Sequence, residues 1–289
     1  MSASTEQHIE TLAIHAGNPA EPITGAVSVP IFQTSTYAQR APGEHSGYEY
    51  SRTHNPTRDA LQANLAALEG AKHGLCFSSG CAATDAMMHL LEPGDHVVSA
   101  DDVYGGTFRI FDKVYKRLGL EFGFVPAADV AAYAQAIKPG KTKLVWLETP
   151  TNPMLSIVDI ARVAELAHAA GAKVVVDNTF ATPYLQRPLS LGADFVVHSV
   201  TKYLGGHGDL TAGAAVFADA DSQRRGDQAL AANSSVLVTA TNRAIAGTYL
   251  LINDKNPALS SRDDLMINIS GYAGRLPGLG SVAVDAVFG

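Results

Sequence analysis

The sequence predicts an α/β fold: a mostly parallel β-sheet covered by helices on both faces. From about residue 55 to residue 217, short apolar runs alternate with longer segments that have the period of a helix, about 3.6 residues. The short runs are apolar at nearly every position, as in KLVWLE (143–148), which is typical of strands buried on both sides. Strands and helices that alternate in this way form βαβ units, and these units build a parallel sheet.

The elements follow one another in a regular order. The first predicted helix has Asn55 as its N-cap and Pro56 at its first helical position, and it ends at Gly70. Further helices are predicted at CAATDAMMHLLEPG (81–94), GTFRIFDKVYKRLG (106–119), AADVAAYAQAI (127–137) and IARVAELAHAAG (160–171). Strands are predicted at GLCFSS (74–79), DHVVSA (95–100), FGFV (122–125), KLVWLE (143–148), KVVVDN (173–178), DFVVHS (194–199) and GAAVFA (213–218).

Composition and charge limit the possible partners. The chain has 289 residues, 46% of them hydrophobic, and a formal net charge of −7. The negative charge, without a dense Lys/Arg block, argues against nucleic acid and anionic membranes, and no apolar run is long enough to span a bilayer. The polar start MSASTEQHIE has no secretory pattern, and Cys76 and Cys81 do not form a CxxC pair. We therefore expect a cytoplasmic protein.

A glycine-containing turn lies where a predicted strand meets a helix. In SSGCAA (78–83), Gly80 allows the backbone to approach a ligand closely, and the helix that follows presents free N–H groups to an anion. The segment is equally compatible with an ordinary tight turn. It matches neither a Walker loop nor a dinucleotide-binding fingerprint.

Two polar motifs follow the last parallel strands. Asp177 ends a strongly apolar run, where a buried carboxylate needs a partner, although a helix cap or an Asx turn also explains it. The next strand leads to Lys202, which follows Ser199 and Thr201 and precedes a run of glycines. Ligands of such folds bind at the carboxyl ends of strands. An anion site, a buried carboxylate and a lysine are what pyridoxal phosphate requires for its phosphate, its ring nitrogen and its aldehyde.

The same segment contains the residues that come closest to a metal-binding cluster. These are His198, His207 and Asp209. We prefer the organic cofactor for this segment and predict no metal site.

A series of motifs gives the chain a resemblance to a known family. They are TLAIHAG, YEYSRTHNPTR, SSGCAAT, DDVYGGTFR, VWLETPTNP, VVDNTFATPYLQRPLSLGAD and HSVTKYLGGHGD, and they extend over roughly residues 10–217. The chain resembles the Cys/Met-metabolism family of pyridoxal-phosphate enzymes, which includes cystathionine γ-lyase, cystathionine γ-synthase, homoserine-derivative sulfhydrylases and methionine γ-lyase. The resemblance implies the PLP-dependent transferase fold (fold type I), pyridoxal 5'-phosphate as cofactor and a small sulfur amino acid as substrate.

The resemblance also implies roles for the matching positions. Lys202 would bind the cofactor aldehyde and then move protons between substrate carbons. Asp177 would keep the ring nitrogen protonated, and Tyr104 would stack on the ring and act as an acid or base at the leaving group. Contacts to the cofactor phosphate are implied for Gly80, Cys81, Ser199 and Thr201.

Further positions match the family outside this group. Tyr50 and Arg52 would reach the phosphate of a neighbouring subunit, which implies a homo-oligomer, by resemblance a tetramer; the planar guanidinium of arginine suits phosphate oxygens. Asn152 would lie near the phenolic oxygen of the cofactor or the substrate carboxylate, and Thr179 at the cofactor's edge. Cys81 stands where the family often has Met.

The C-terminal part departs from the family pattern after about residue 217. We expect an N-terminal segment that contacts a neighbouring subunit (1–55), a PLP-binding large domain (56–220) and a divergent or truncated C-terminal region (221–289). Arg243 and Arg275 are candidate ligands of the substrate carboxylate, but neither stands in a copy of the family motif.

The predicted function is the making or breaking of a Cγ–S bond in sulfur amino-acid metabolism. Cystathionine γ-lyase, which forms cysteine, ammonia and 2-oxobutanoate, is preferred because EYSRTHNPTR and VWLETPTNP look most like that branch. Cystathionine γ-synthase and O-acyl-homoserine sulfhydrylase are alternatives. A third alternative is a family member that binds pyridoxal phosphate but turns over poorly because its substrate domain is incomplete.

Overall fold

The computed structural model describes residues 7–218, together with three short strands farther along the chain. The chain divides into two compact units, residues 1–223 and residues 224–289. The first unit contains α1 (Ile9–His15), α2 (Pro56–Glu69), α3 (Gly80–Met88), α4 (Gly105–Arg109), α5 (Val130–Ala136), α6 (Ile160–Ala169) and α7 (Thr182–Leu185). Its strands are β1 (His73–Phe77), β2 (His96–Ala100), β3 (Glu121–Val125), β4 (Thr142–Glu148), β5 (Lys173–Asp177), β6 (Phe195–His198) and β7 (Gly213–Phe217).

The strands of the first unit form a seven-stranded sheet in the order β1-β7-β6-β5-β4-β2-β3. The pairings from β3 through β6 are parallel. β7 runs antiparallel to both of its neighbours, β6 and β1. The prediction of a mostly parallel sheet is confirmed, and the carboxyl ends of β4, β5 and β6 lie at one edge.

Both faces of the sheet are covered. β2, β6 and β7 are buried at every position, although successive side chains point to opposite faces. Alternate residues of β6 enter two different hydrophobic clusters: Val196 packs in a cluster with Leu65 of α2, and Val197 belongs to the larger core around Trp146. This two-sided burial explains why the strand sequences are continuously apolar.

The caps of α2 agree with the sequence prediction, whereas two other helices differ from it. The Asn55 side chain accepts a hydrogen bond from Thr57 N, and Gly70 closes the helix with a left-handed φ of 71°. The helix predicted at 81–94 ends at Met88, and the apolar period continues because Leu90 and Leu91 still pack on the core. The helix predicted at 106–119 consists of α4 followed by a π-helix (Ile110–Tyr115), a change of backbone hydrogen bonding that the side-chain period does not encode.

The second unit contains a small antiparallel sheet. Its strands are β8 (Leu237–Ala240), β9 (Gly247–Ile252) and β10 (Leu265–Asn268), in the order β10-β9-β8. The candidate carboxylate ligands Arg243 and Arg275 lie outside the described residues. Among the helices that the structure describes, none is long and apolar enough to cross a membrane.

Candidate active site

A cavity of about 220 Å³ lies at the carboxyl edge of the sheet. The ends of β4, β5 and β6, the first turn of α3 and the start of α4 supply its walls. It is lined by Ser79, Gly80, Cys81, Thr84, Tyr104, Thr107, Glu148, Asn152, Asp177, Thr179, Phe180, Ser199, Thr201, Lys202 and Thr211. This is the place at which ligands bind in open α/β sheets.

One wall of the cavity is suited to an anion. The Ser79 side chain caps α3 by accepting a hydrogen bond from Ala82 N, which leaves the N–H groups of Gly80 and Cys81 at the cavity wall. Gly80 is required by space, because a Cβ there would lie 2.7 Å from the Cβ of Ser199. The start of α3 and the end of β6 therefore approach each other as closely as their backbones permit.

Thr179 connects the end of β5 with the end of β6. Its hydroxyl donates to Asp177 Oδ1 at 2.5 Å and accepts from Ser199 N at 2.8 Å. The Thr179 N–H donates to the same carboxylate oxygen at 3.0 Å. Within the described part of the chain no hydrogen bond reaches Asp177 Oδ2, so this oxygen is available to a ligand.

Lys202 lies in a tight loop that follows β6. Its N–H donates to Ser199 O, and the N–H of Gly206, a residue with φ of 76°, donates to Lys202 O. The Thr201 hydroxyl donates to Ala212 O at 3.1 Å and accepts from Ala212 N at 3.0 Å, so it ties this loop to the start of β7. The glycines allow the turn that brings the Lys202 side chain to the cavity.

The start of α4 places Tyr104 at the cavity. Tyr104 N donates to Glu148 Oε2 at 2.8 Å, and the phenol ring lies directly against Gly106, where a Cβ would come within 2.3 Å of the ring. The ring is 44% exposed and lines the cavity. An exposed ring beside a cavity has a free face on which a flat ligand can stack.

The loop after β4 places Asn152. Asp102 Oδ2 accepts hydrogen bonds from the Thr151 hydroxyl and from Met154 N. Thr151 Oγ1 also accepts from Ser156 N at 2.7 Å. Asn152 is therefore held between two anchored residues at the cavity wall.

A network of buried polar side chains holds the loops that follow β4, β5 and β6. Glu69 Oε1 accepts from His198 Nε2 at 2.6 Å and from Asn178 Nδ2 at 2.8 Å. Gln186 Nε2 donates to Asn178 Oδ1 and to Thr149 O. α2, the ends of β5 and β6 and the loop after β4 are thereby joined through one set of hydrogen bonds.

Two acidic side chains of the site have perturbed pKa values. Burial raises the pKa of Asp177, although the hydrogen bonds from Thr179 and the nearby His198 imidazole act in the opposite direction. Burial and the adjacent charge of Asp177 raise the pKa of Glu148 to about 8. A cationic ligand between or beside these groups would relieve both effects.

The structure brings together most of the residues predicted from the sequence. The cavity lining contains Gly80, Cys81, Tyr104, Asn152, Asp177, Thr179, Ser199, Thr201 and Lys202. Tyr50 and Arg52 do not line it: they are exposed elsewhere, with the guanidinium carbon of Arg52 4.9 Å from the ring centroid of Tyr50. His198 is buried against Glu69, whereas His207 and Asp209 are exposed.

Several lining residues carry no signal that distinguishes them in the sequence, or one that is easily passed over. Glu148 is the most important of them, and the signal for it was the one used for Asp177: a carboxylate at the end of an apolar strand. Thr107 and Phe180 lie within quoted motifs but had no distinguishing pattern of their own. The remaining lining residues that were not predicted are Ser79, Thr84 and Thr211.

A family profile described as Cys/Met metabolism PLP-dependent enzyme matches residues 10–245. The chain belongs to this family, and the prediction of pyridoxal phosphate as its cofactor is confirmed. It is similar to a probable cystathionine gamma-synthase of Herpetosiphon aurantiacus, with 59% identity over 204 residues, which is 71% of this chain and 64% of that protein. It is also 54% identical to a cystathionine beta-lyase of Coxiella burnetii over 215 residues, 74% of this chain and 55% of that protein.

A solved structure extends the similarity to the fold. The cystathionine gamma-lyase of Lactobacillus plantarum, complexed with L-serine, is 46% identical and has a TM-score of 0.76; the match covers 80% of this chain and 60% of that one. The predicted PLP-dependent fold is confirmed. The chain spans between 55% and 64% of the length of the two curated relatives described above.

The residues of the cavity fit pyridoxal phosphate. The N–H groups of Gly80 and Cys81, with the nearby Ser199 hydroxyl, are donors for a phosphate. Asp177 has a carboxylate oxygen to accept a hydrogen bond from a protonated ring nitrogen, and Lys202 has an amine for the aldehyde. The steric limit at Gly80 agrees with this fit, because a Cβ there would lie 2.7 Å from the Cβ and 3.1 Å from the hydroxyl of Ser199, one of the phosphate donors.

Proposed function

We propose that this chain carries the cofactor-binding part of an enzyme that makes or breaks the Cγ–S bond of sulfur amino acids, with γ-elimination of cystathionine as its reaction. The observation that carries the proposal is that Lys202, Asp177 and Tyr104 line one cavity. Water is consumed, and cysteine, ammonia and 2-oxobutanoate are the products. The names of the relatives support cystathionine as the substrate or product.

The residues have distinct tasks in this proposal. Bound pyridoxal phosphate supplies an electron sink for the carbanion that forms when a substrate carbon loses its proton. Asp177 holds a proton at the ring nitrogen and so maintains the electron demand of the ring. Lys202 takes a proton from the α-carbon and delivers it to a neighbouring carbon. Its exposed side chain and its place in a glycine-rich turn leave the amine room to move between these positions.

Tyr104 orients the cofactor ring and acts as the acid for the leaving group. Its phenol lies at the cavity mouth, where it can give a proton to the departing sulfur. Gly80, Cys81, Ser199 and Thr201 hold the phosphate, and the Thr201 hydroxyl gives up its donated bond to Ala212 O when it donates to the phosphate. Asn152 stands close enough to the same cavity to orient either the phenolic oxygen of the cofactor or the substrate carboxylate.

The names of the relatives favour a second candidate, β-elimination of cystathionine to homocysteine, ammonia and pyruvate. The synthase reaction, in which cysteine replaces the acyl group of an O-acyl-homoserine, and the sulfhydrylase reaction are further alternatives. All of these use the same cofactor site. A cofactor-binding chain with little turnover is the remaining alternative.

Product analysis with the full chain distinguishes these candidates. The protein is loaded with pyridoxal phosphate and incubated with cystathionine, and 2-oxo acids and thiols are identified by mass spectrometry. We expect 2-oxobutanoate and cysteine, with Lys202→Ala inactive and the exposed-lysine control Lys72→Ala active. Pyruvate and homocysteine would assign β-elimination, and cystathionine formed from O-acyl-homoserine and cysteine would assign the synthase. Cofactor binding without any product would contradict the proposal of an active enzyme.

We further propose that the enzyme is a homo-oligomer in which Tyr50 and Arg52 complete the site of a neighbouring subunit. Both lie away from the cavity of their own chain, and the preceding segment exposes Ile23, Val27 and Ile31 at 84–90%. Exposed apolar side chains of this kind are typical of subunit contacts.

The free thiols Cys76 and Cys81 support a reducing compartment such as the cytoplasm.

Subunit complementation tests this arrangement. Arg52→Ala and Lys202→Ala should each have little activity alone. When they are mixed under conditions that allow subunit exchange, sites that combine an intact Lys202 with an intact Arg52 from the neighbour should regain activity. A monomeric mass in sedimentation, or no recovery after proven exchange, would contradict the proposal.

A further inference from the structure

Glu148 is an acidic residue of the cavity that the proposed catalytic roles do not use. It is the last residue of β4, is 5% exposed and is paired in register with Asp177, the last residue of β5. Two carboxylates therefore end neighbouring parallel strands side by side. Acidic residues are seldom buried without a partner, so this arrangement requires an explanation.

The contacts of Glu148 connect it to Tyr104. Glu148 Oε2 accepts a hydrogen bond of 2.8 Å from Tyr104 N, at the residue that immediately precedes α4. The ring of Tyr104 lies against Gly106, so the position of the ring depends on the position of this backbone. A carboxylate at Glu148 thus acts on the position of the Tyr104 ring through the peptide N–H.

The charges around Glu148 are mainly negative. Asp177 faces it from β5 and Asp102 from the loop after β2, whereas Lys202 lines the same cavity. Within residues 7–218 no ion pair is formed by Glu148 or by Asp177. Two adjacent buried carboxylates do not both ionise readily, so such a pair retains one proton near neutral pH. The raised pKa of Glu148, about 8, agrees with this expectation.

We propose that Glu148 is a positioning residue that holds the backbone of Tyr104, and that it shares one proton with Asp177 until the binding of pyridoxal phosphate expels that proton to solvent. The inference rests on the proposed assignment of Asp177 to the cofactor ring nitrogen. A cationic ring nitrogen beside Asp177 stabilises both carboxylates as anions, and a fully ionised Glu148 is a stronger acceptor for the Tyr104 N–H. Cofactor binding thereby restricts the movement of the Tyr104 ring that stacks on the cofactor.

Calorimetric proton counting tests both parts. Pyridoxal phosphate is titrated into the cofactor-free full chain at about pH 7.5, below the pKa of Glu148, in two buffers of different ionisation enthalpy. On binding the cofactor, the wild type should release between about half a proton and one proton more than the Glu148→Gln variant. Protons that come from Lys202 and from the phosphate are the same in the two proteins and cancel in this comparison. Glu148→Gln keeps an acceptor for Tyr104 N and should bind within about threefold of wild type, whereas Glu148→Leu should bind about tenfold more weakly.

The opposite results overturn the inference. Equal proton release from wild type and Glu148→Gln would refute the shared proton, and equal weakening by Gln and Leu would refute the positioning role. An infrared difference spectrum of the wild type needs no variant: a protonated carboxyl band should disappear when pyridoxal phosphate binds, and an unchanged carboxyl region contradicts the inference. A wild type that binds no pyridoxal phosphate would refute the proposed function as well, whereas binding without these proton changes refutes this inference alone.

Discussion

Glu69 and His198 meet at 2.6 Å in the interior of the protein although 129 residues separate them in the sequence. Both side chains are about 1% exposed. The contact joins α2 to the strand that leads into the Lys202 loop, and Asn178 shares the same Glu69 oxygen. The geometry of the site thus depends on a polar contact that lies outside the cavity.

Removing this carboxylate should destabilise the first unit strongly. Glu69→Ala leaves the donors of His198 and Asn178 without their acceptor, so we expect the free energy of unfolding to fall by about 3–5 kcal/mol. Urea unfolding followed through the fluorescence of Trp146, the single tryptophan, measures this change. Glu44→Ala, which removes an exposed carboxylate, should change it by less than about 0.5 kcal/mol. Equal effects of the two substitutions would contradict the role of the buried network.

The packing of Tyr104 on Gly106 gives a second prediction. A methyl group in Gly106→Ala would lie 2.3 Å from the Tyr104 ring, so the ring must move away from its position at the cavity. We expect the affinity for pyridoxal phosphate to fall about tenfold, or about 1.4 kcal/mol, with the fold retained. Gly105→Ala is the matched control, because a Cβ there meets nothing within 4 Å. Unchanged affinity in Gly106→Ala would mean that the ring has no part in cofactor binding.

Asp177 is predicted to matter more for turnover than for cofactor occupancy. Asp177→Ala removes the group that maintains the protonated ring nitrogen, so the barrier should rise by several kcal/mol, about 3 or more, which is over a hundredfold in rate. Absorbance of the bound cofactor and the rate of 2-oxo acid release measure the two effects separately. A variant with nearly normal turnover would assign the carboxylate to a structural role.

The raised pKa of Glu148 predicts how stability changes with pH. In the unfolded chain this group titrates near its ordinary value of 4.5, and in the folded chain near about 8. Between these values the folded chain binds a proton that the unfolded chain releases, so the contribution of Glu148 to stability declines as pH rises from 4.5 to about 8. Urea unfolding of the cofactor-free protein at several pH values should show that Glu148→Gln gains stability relative to wild type across this range. A constant difference between the two proteins would contradict the assignment.

The sequence predicted much of the site because the fold places strand ends together. Asp177 and Lys202 follow consecutive parallel strands, and the motif around Gly80 precedes a helix at the same edge, so their convergence follows from the α/β pattern. Glu148 obeys the same rule and lies within the motif VWLETPTNP, but only Asn152 of that motif was given a role.

Other features could not be predicted because they depend on long-range contacts. Nothing near Glu69 or His198 in the sequence indicates that they form a pair: Glu69 is one of several polar residues of α2, and His198 is the polar residue that ends β6. The antiparallel direction of β7 likewise depends on how the loop from Lys202 to Ala212 returns to the sheet. Hydrophobic periodicity identifies a strand but not its direction.

The central claim is that Lys202 binds the cofactor in the cavity formed with Asp177 and Tyr104. The most direct measurement is reduction of the pyridoxal-phosphate-loaded protein with borohydride, followed by peptide mapping by mass spectrometry. We expect a single major pyridoxyl adduct on Lys202, which is lost in Lys202→Ala and retained in Lys72→Ala. A major adduct on another lysine, or no adduct after saturating cofactor, would contradict it.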